Sequence, residues 1–186
     1  MIILDTKIRD LKIIKPKIFK DNRGYFFESY NSSAYKKITK KNIFVQDDHS
    51  FSKKNVLRGI HFQTHKPQDQ LLYLVEGKIF ICFIDLRPRS KTFKKTYTIV
   101  LKSEKHNQIF QPAGVGSGYY VLSEKSHLLY KVSELYYKKN ENGIMWNDKD
   151  LNIKWPCKKP ILSSNDKNNL NFNDINLNKY KDLIKL

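Results

Sequence analysis

The chain has 186 residues, of which 40% are hydrophobic and 13% aromatic, and its formal net charge is +17 at pH 7. This length suits one domain with a sizeable core, and the apolar fraction excludes a disordered chain. No apolar run approaches the roughly 20 residues of a membrane span, and the N-terminal residues lack a signal-peptide pattern. Cys82 and Cys157 show no disulfide-framework spacing, so we expect reduced thiols and a cytoplasmic protein.

The positive charge is spread along the chain. Lysines occur in scattered pairs, such as Lys36-Lys37 and Lys94-Lys95, rather than in one segment interleaved with aromatic residues. A nucleic-acid-binding face would concentrate them, so the charge predicts a solvated surface with no nucleic-acid or membrane partner. Part of it can still attract a diphosphate ligand by long-range steering.

The N-terminal segment predicts short strands, a turn and one helix. The apolar runs at 1–4 and 11–14 are typical of edge strands, because Pro16 follows the second run closely. An Asn-Arg-Gly turn within 21–24 leads into an aromatic strand at 25–30. The polar start of 31–38 can cap one short helix.

Between residues 44 and 135, short β-type runs are separated by turns. Their spacing of about ten residues is typical of a β-sandwich or barrel, and no stretch there keeps a helical period. Gly77 marks a tight bend between two of these runs. The main predicted strands are 71–76, 78–86, 95–101, 108–111, 119–122 and 127–133. Residues 165–186 predict either a short terminal helix or a frayed tail.

Residues 55–63 (NVLRGIHFQ) combine a buried-strand pattern with two functional side chains, Arg58 and His61. Burying such groups is costly unless something pairs with them or uses them. A single core histidine is most often structural and hydrogen-bonded, but further motifs accompany this one. Strict strand alternation places Arg58 and His61 on opposite faces. Either a bulge at Gly59 or a site shared with a partner subunit would reconcile them.

The accompanying motifs are 21–28 (DNRGYFFE), 45–50 (VQDDHS), 85–87 (DLR), 111–118 (QPAGVGSG), 129–131 (LYK), 143–148 (GIMWND) and 162–166 (LSSND). In this order they resemble the dTDP-4-dehydrorhamnose 3,5-epimerase family, whose members are metal-free cupins, over residues 13–166. The resemblance implies an all-β cupin, a jelly-roll β-sandwich with a few short helices, formed by 1–186 as a single domain. Its core would span about 13–166 and its C-terminal tail 167–186. It also implies a homodimer formed through the N-terminal strands.

Many cupins hold a metal through His-x-His on one strand and another histidine after a Pro-x-Gly turn. Here Gln63 and Ser117 stand where two of those histidines would be. One imidazole with an amide and a hydroxyl is a poor ligand set for zinc or iron. We therefore expect no metal and no other cofactor.

Without a metal, His61 remains as a proton-transfer group whose ordinary pKa is near working pH. The resemblance implies that Asp166 orients His61 and that Tyr130 is the second proton-transfer group. A base on one face and an acid on the other would invert a carbon beside the ketone of a 4-keto sugar. Without the resemblance, Asp166 would be interpreted as a helix N-cap, and Tyr130 as a core tyrosine with a hydrogen-bonded hydroxyl.

The resemblance also implies a nucleotide site. Arg23 and Arg58 would bind the diphosphate, because a planar guanidinium gives bidentate contacts. The residues implied around the base are Phe26, Glu28 and Gln46, with Tyr137 nearby.

Three polar positions of the family pattern are changed together. Gln70, Ile81 and Ser117 replace a lysine, an aspartate and a histidine on the side that holds the sugar's keto oxygen and hydroxyls. If only one of these charged groups had been lost, the others would be buried without a partner. Their joint loss therefore predicts a pocket with altered specificity. Gln70 can still donate a hydrogen bond to an enolate oxygen, although without a full charge.

These features predict an epimerase of a nucleoside-diphosphate-activated 4-keto-6-deoxy sugar, acting at C3, C5 or both in surface-polysaccharide sugar biosynthesis. The main alternative is a non-epimerising cupin, either another sugar isomerase or a nucleotide-sugar-binding protein. A basic nucleic-acid-binding sandwich is a third interpretation. Proton exchange from substrate separates the first two, and salt-dependent oligonucleotide binding would indicate the third.

Overall fold

The computed structural model describes residues 1–39 and 43–186. Its strands are β1 (Ile2–Asp5), β2 (Lys12–Lys15), β3 (Phe19–Asp21), β4 (Gly24–Phe26), β5 (Gln46–Lys53), β6 (Leu57–Gln63), β7 (Gln70–Glu76), β8 (Lys78–Asp85), β9 (Thr96–Lys102), β10 (Gln108–Gln111), β11 (Val115–Val121), β12 (Lys125–Val132) and β13 (Glu141–Gly143). The α-helices are α1 (Ser32–Thr39), α2 (Ser164–Lys167) and α3 (Lys181–Ile184). Short 3-10 turns occupy Ser103–Lys105, Lys138–Asn140, Phe172–Asp174 and Leu177–Lys179.

The strands form two antiparallel sheets that pack face to face. One sheet has the order β1-β2-β10-β7-β12-β5, and the other has the order β13-β6-β11-β8-β9. Leu72 and Leu74 of the first sheet meet Phe83 and Val121 of the second in one buried cluster. The predicted all-β sandwich is therefore confirmed. None of the helices in the described ranges is long and apolar enough to cross a membrane.

Both sheets are also covered on their outer faces, which explains the nearly continuous apolar sequence of β8. Ile81 and Phe83 point into the central cluster, whereas Ile84 belongs to a second cluster on the opposite face of its sheet. On the first sheet, Leu71 packs outward against Ile38 of α1. Apolar residues are thus required on both sides of these strands.

The C-terminal tail forms part of this outer layer. Phe172, Leu177 and Leu183 pack in the same cluster as Ile60 and Phe62 of β6. Of the two alternatives for the tail, the structure has the short helix, α3, and its Leu183 is fully buried. The tail therefore supports the back of the strand that carries His61.

Two predictions for the N-terminal segment were wrong. β2 is an interior strand rather than an edge strand, because it pairs with β1 on one side and with β10 on the other. The aromatic strand predicted at 25–30 ends at Phe26. Beyond that point the aromatic rings serve tertiary packing: Phe27 contacts His106 and Tyr73.

A bulge in β6 reconciles Arg58 with His61. Ser117 of β11 faces His61 and Tyr119 faces Arg58, so β6 has one more residue than β11 across this stretch. Gly59 lies in the extra space with φ of 105°. The bulge at Gly59 is confirmed, and it turns both functional side chains toward the same cavity.

Gly59→Ala should destabilise the fold strongly. An added Cβ would lie 2.6 Å from both Gly118 Cα and Ser117 O, and the backbone is left-handed. Strain and overpacking together should lower the free energy of unfolding by roughly 2–5 kcal/mol in a urea titration.

Gly24→Ala is the matched control, because its φ is +134° but nothing lies within 4 Å of an added Cβ. Its loss should be about 1–2 kcal/mol, from strain alone. Equal losses in the two variants would contradict the close approach of β6 and β11.

Candidate active site

A cavity of about 410 Å³ opens inside the sandwich, lined by residues of both sheets. The predicted site residues that line it are Gln46, Arg58, His61, Gln70, Ser117 and Tyr130. They come from β5, β6, β7, β11 and β12, so the antiparallel registers bring together positions that are far apart in sequence.

His61 is paired with Asp166. The His61 Nε2 lies 2.6 Å from Asp166 Oδ1, and only 3% of the Asp166 side chain is exposed. Ser163 Oγ donates to the other carboxylate oxygen at 2.8 Å, and the Gly59 amide donates to Oδ1 at 3.3 Å. The N-cap interpretation of Asp166 was wrong, because Ser163 caps α2 and leaves the Asp166 carboxylate facing His61.

The electrostatics of the pair favour a basic imidazole. Burial lowers the pKa of His61 and is the largest single effect, but the hydrogen bond and charge of Asp166 outweigh it, so the pKa lies above 6.5. Burial would raise the pKa of Asp166, but hydrogen bonds from His61 and Ser163 hold it below 3.8. Asp166 is therefore ionised and accepts from Nε2–H, which leaves the Nδ1 lone pair of neutral His61 free.

Tyr130 lies in the same cavity on β12, opposite Asp48 of β5 in the register. Burial, followed by the negative charge of Asp48, raises the pKa of Tyr130 to about 12. Its hydroxyl is therefore protonated at neutral pH and available as a proton donor.

Arg58 is held in place by a polar network. Its Nε donates to Ser52 Oγ at 2.9 Å and its Nη2 donates to the Phe51 carbonyl at 3.1 Å. The Tyr119 hydroxyl lies 3.0 Å from Ser50 Oγ and 3.1 Å from Ser52 Oγ. Among the described residues that line the cavity, Arg58 is the only lysine or arginine. Its guanidinium can pair with an anionic group placed in the cavity.

The three changed positions lie on the wall of this cavity, where Gln70, Ile81 and Ser117 are all lining residues. Ser117 faces His61 directly in the strand register, and the Gln70 amide is 3.4 Å from Gln68 Oε1. This wall offers an amide and a hydroxyl to a ligand but no full charge.

The remaining predicted binding residues lie outside the cavity lining: Arg23, Phe26, Glu28 and Tyr137. Arg23 is at the tip of the β3–β4 hairpin, where its side chain is 86% exposed and pairs with Asp21. Phe26 is 68% exposed on the same hairpin. Within a single chain, these side chains do not complete the site around His61.

Sequence reasoning missed several lining residues, above all Asp48, Tyr119, Tyr136 and Glu141. Asp48 lies inside a motif that was recognised, so its position was a usable signal. Nothing local distinguishes Glu141 from the acidic residues of the surface. It reaches the cavity because β13 pairs with β6, with Glu141 opposite Gln63.

The side chains around His61 form a poor ligand set for a metal ion. No group of three or more His, Cys, Asp or Glu side chains suited to a metal occurs within 1–39 and 43–186. The Gln63 side chain is already used, since its amide donates to the Lys66 carbonyl at 2.8 Å and its oxygen accepts from the Tyr137 amide at 3.1 Å.

Comparison with known proteins agrees with this geometry. The family model for dTDP-4-dehydrorhamnose 3,5-epimerase matches residues 5–174. The chain belongs to this family. A dTDP-4-dehydrorhamnose 3,5-epimerase from Shigella flexneri is 40% identical over 176 residues, which is 94% of this chain and 97% of that protein.

Solved structures of the family have the same fold. The dTDP-6-deoxy-D-glucose-3,5-epimerase of Legionella pneumophila, in complex with dTDP-4-keto-L-rhamnose, has a TM-score of 0.90 at 36% identity and covers 95% of each chain. ChmJ of Streptomyces bikiniensis, a 3'-monoepimerase in complex with dTDP-quinovose, has a TM-score of 0.82 at 26% identity, covering 88% of this chain and 84% of its own. The similar structures thus include a 3,5-epimerase and a 3'-monoepimerase.

Asp166→Asn should lower the pKa of His61 below 6.5, because the charge that offsets burial is lost while burial remains. An NMR pH titration of the His61 ring measures this directly and needs no substrate.

Asp182→Asn is the matched control, since Asp182 pairs with the exposed His65 at 2.7 Å. It should leave the His61 titration unchanged. An unaltered His61 pKa in Asp166→Asn would mean that Asp166 does not set the charge state of the imidazole.

Proposed function

We propose that this protein epimerises a nucleoside-diphosphate-activated 4-keto-6-deoxy sugar at C3, C5 or both. The observation that carries the proposal is the His61–Asp166 contact of 2.6 Å, in a cavity that also contains Tyr130. The family membership supports an isomerase, and its relatives do not favour the non-epimerising alternative.

His61 is the base in this proposal. Its Nδ1 takes the proton from the carbon beside the ketone, and the electrons of that C–H bond form an enolate. Tyr130 then gives its hydroxyl proton to the opposite face of the carbon, which inverts the centre. Asp166 holds His61 in the tautomer that leaves Nδ1 free, and it stabilises the imidazolium.

The enolate oxygen is bound by neutral groups. Gln70 and Ser117 supply an amide and a hydroxyl on that wall of the cavity. Removing a good oxyanion donor costs about 10²–10³ in rate, and a neutral donor recovers part of it. The altered wall therefore changes which sugar is bound and whether one or two centres are inverted, while the proton-transfer pair is retained.

The diphosphate binds to Arg58, with Gln46 near the base. Arg23, Phe26 and Glu28 join the site from a second subunit in a homodimer formed through the N-terminal strands. β1 is an edge strand whose Ile2 is 60% exposed, and the hairpin exposes Phe26 as well as Arg23. Exposed apolar groups and an open sheet edge are typical of an interface.

The reaction takes place in the cytoplasm and supplies surface-polysaccharide biosynthesis. Cys82 and Cys157 are both free thiols, which suits a reducing compartment.

His61→Asn should greatly slow proton exchange between the substrate and solvent. A panel of nucleotide 4-keto-6-deoxy sugars is incubated with the enzyme in D₂O, and NMR follows deuterium at C3 and C5. Loss of the base should slow exchange by about 10²–10⁴-fold. The carbons that exchange with wild-type enzyme distinguish single from double epimerisation.

His65→Asn is the matched control, because His65 also pairs with an aspartate but lies outside the cavity lining. Exchange that persists in His61→Asn would place the base elsewhere. Tight nucleotide binding without exchange for any sugar, even with wild-type enzyme, would favour a non-epimerising protein.

The shared site predicts complementation between inactive subunits. Arg23→Ala and His61→Asn proteins are mixed, unfolded together and refolded. Half of the dimers should then contain one subunit of each variant. One of the two sites in such a dimer has both an intact His61 and an intact Arg23. Activity should therefore return to about a quarter of the wild-type value. No recovery, or a monomeric mass in light scattering, would contradict the contribution of Arg23 from a partner.

A further inference from the structure

The proposed reaction leaves the enzyme in the wrong protonation state after each inversion. His61 has gained a proton on Nδ1 and Tyr130 has lost its hydroxyl proton. Before the next inversion, a proton must leave His61 and one must reach Tyr130. If two centres of one sugar are inverted, this reset has to occur while the ligand fills the cavity.

Glu141 lies beside the proton that must leave. Its Oε1 is 4.0 Å from His61 Nδ1, the ring nitrogen that faces away from Asp166. Tyr136 donates its hydroxyl to Glu141 Oε2 at 2.7 Å. Both Glu141 and Tyr136 line the cavity, and 34% of the Glu141 side chain is exposed. One water molecule, or a small movement of the side chain, closes a gap of this size.

The negative charge of Glu141 acts on both proton-transfer groups. After burial and Asp166, it contributes to the raised pKa of His61. After burial, Asp48 and Tyr119, it also contributes to the raised pKa of Tyr130. Glu141 lines the same cavity as both groups, so its carboxylate favours the protonated form of each.

Asp166 is unsuited to carry this proton away. It is almost fully buried, and its oxygens accept hydrogen bonds from His61, Ser163 and the Gly59 amide. It faces Nε2, whereas the transferred proton is on Nδ1. The Glu141 carboxylate, in contrast, is partly exposed and lies on the Nδ1 side of the ring.

We propose that Glu141 is the proton relay that resets the active site, with Tyr136 holding its carboxylate in place. This inference rests on the proposed function. The N–H bond at His61 Nδ1 breaks as an O–H bond forms on Glu141. That bond then breaks as the hydroxyl of Tyr130 is restored, so no proton is gained or lost overall. Glu141 thereby serves every turnover without taking part in C–H cleavage.

The relay predicts a burst in Glu141→Gln. The substrate is the nucleotide 4-keto-6-deoxy sugar on which the wild-type enzyme shows exchange, and rapid quenching follows the first and later turnovers. The first inversion should keep nearly its wild-type rate constant, with an amplitude of one per site. Later turnovers should slow by about 10²-fold, since a proton-transfer group is missing.

Formate provides the decisive readout, because a small carboxylate can carry the proton in place of the lost side chain. Added formate should raise the later turnovers of Glu141→Gln and leave the burst unchanged. Tyr136→Phe keeps the carboxylate and loses only its hydrogen bond, so it should slow later turnovers by about tenfold. Glu124→Gln is the control, since Glu124 pairs with Lys54 and lies outside the cavity lining.

Steady turnover of Glu141→Gln at the wild-type rate would overturn the relay, because water would then reset the site. The relay would also be overturned if Glu141→Gln lost both the burst and steady turnover and did not respond to formate. Glu141 would then be a binding residue. Absence of exchange in the wild-type enzyme on every sugar would remove the proposed function and the relay together.

Discussion

The contact between His61 and Asp166 is the interaction on which the site depends. It joins His61 in β6 to Asp166 in the short helix α2, two residues separated by 105 positions in the chain. A buried carboxylate is stable only when its oxygens are satisfied, and here an imidazole, a hydroxyl and a backbone amide satisfy them. The same contacts fix the imidazole tautomer, so one arrangement serves both folding and the proton transfer that we propose.

The bulge at Gly59 is the second constraint. A regular strand would turn Arg58 and His61 to opposite faces. The additional residue in β6 directs the guanidinium of Arg58 and the imidazole of His61 into one cavity. Only glycine fits there, because β6 and β11 approach so closely that Cβ atoms at Gly59 and Gly118 would press on backbone atoms. Close strand packing is thus coupled to the placement of the site.

The charges of the cavity differ from those of the whole protein. The chain carries a net charge of +17, yet Arg58 is the only lysine or arginine among the described lining residues. Asp48 and Glu141 add two carboxylates to the cavity wall, whereas Gln70 and Ser117 are neutral. The surface charge can therefore attract an anionic ligand over long distances, while local hydrogen bonds decide its orientation. The proton transfer that we propose depends on His61, Asp166 and Tyr130, whose pKa values are shifted.

The sequence by itself determined the β-sandwich, because strand cadence and apolar patterning are local properties. It also determined the family and the candidates His61, Tyr130 and Asp166, whose motifs are contiguous. Only the tertiary structure decided that Glu141 lies 4.0 Å from His61 Nδ1, because the pairing of β13 with β6 sets that proximity and leaves no local pattern. It also decided that residues 27–30 pack rather than extend a strand, and that the Arg23 hairpin lies outside the cavity lining. These outcomes depend on contacts between distant segments, which residue spacing does not encode.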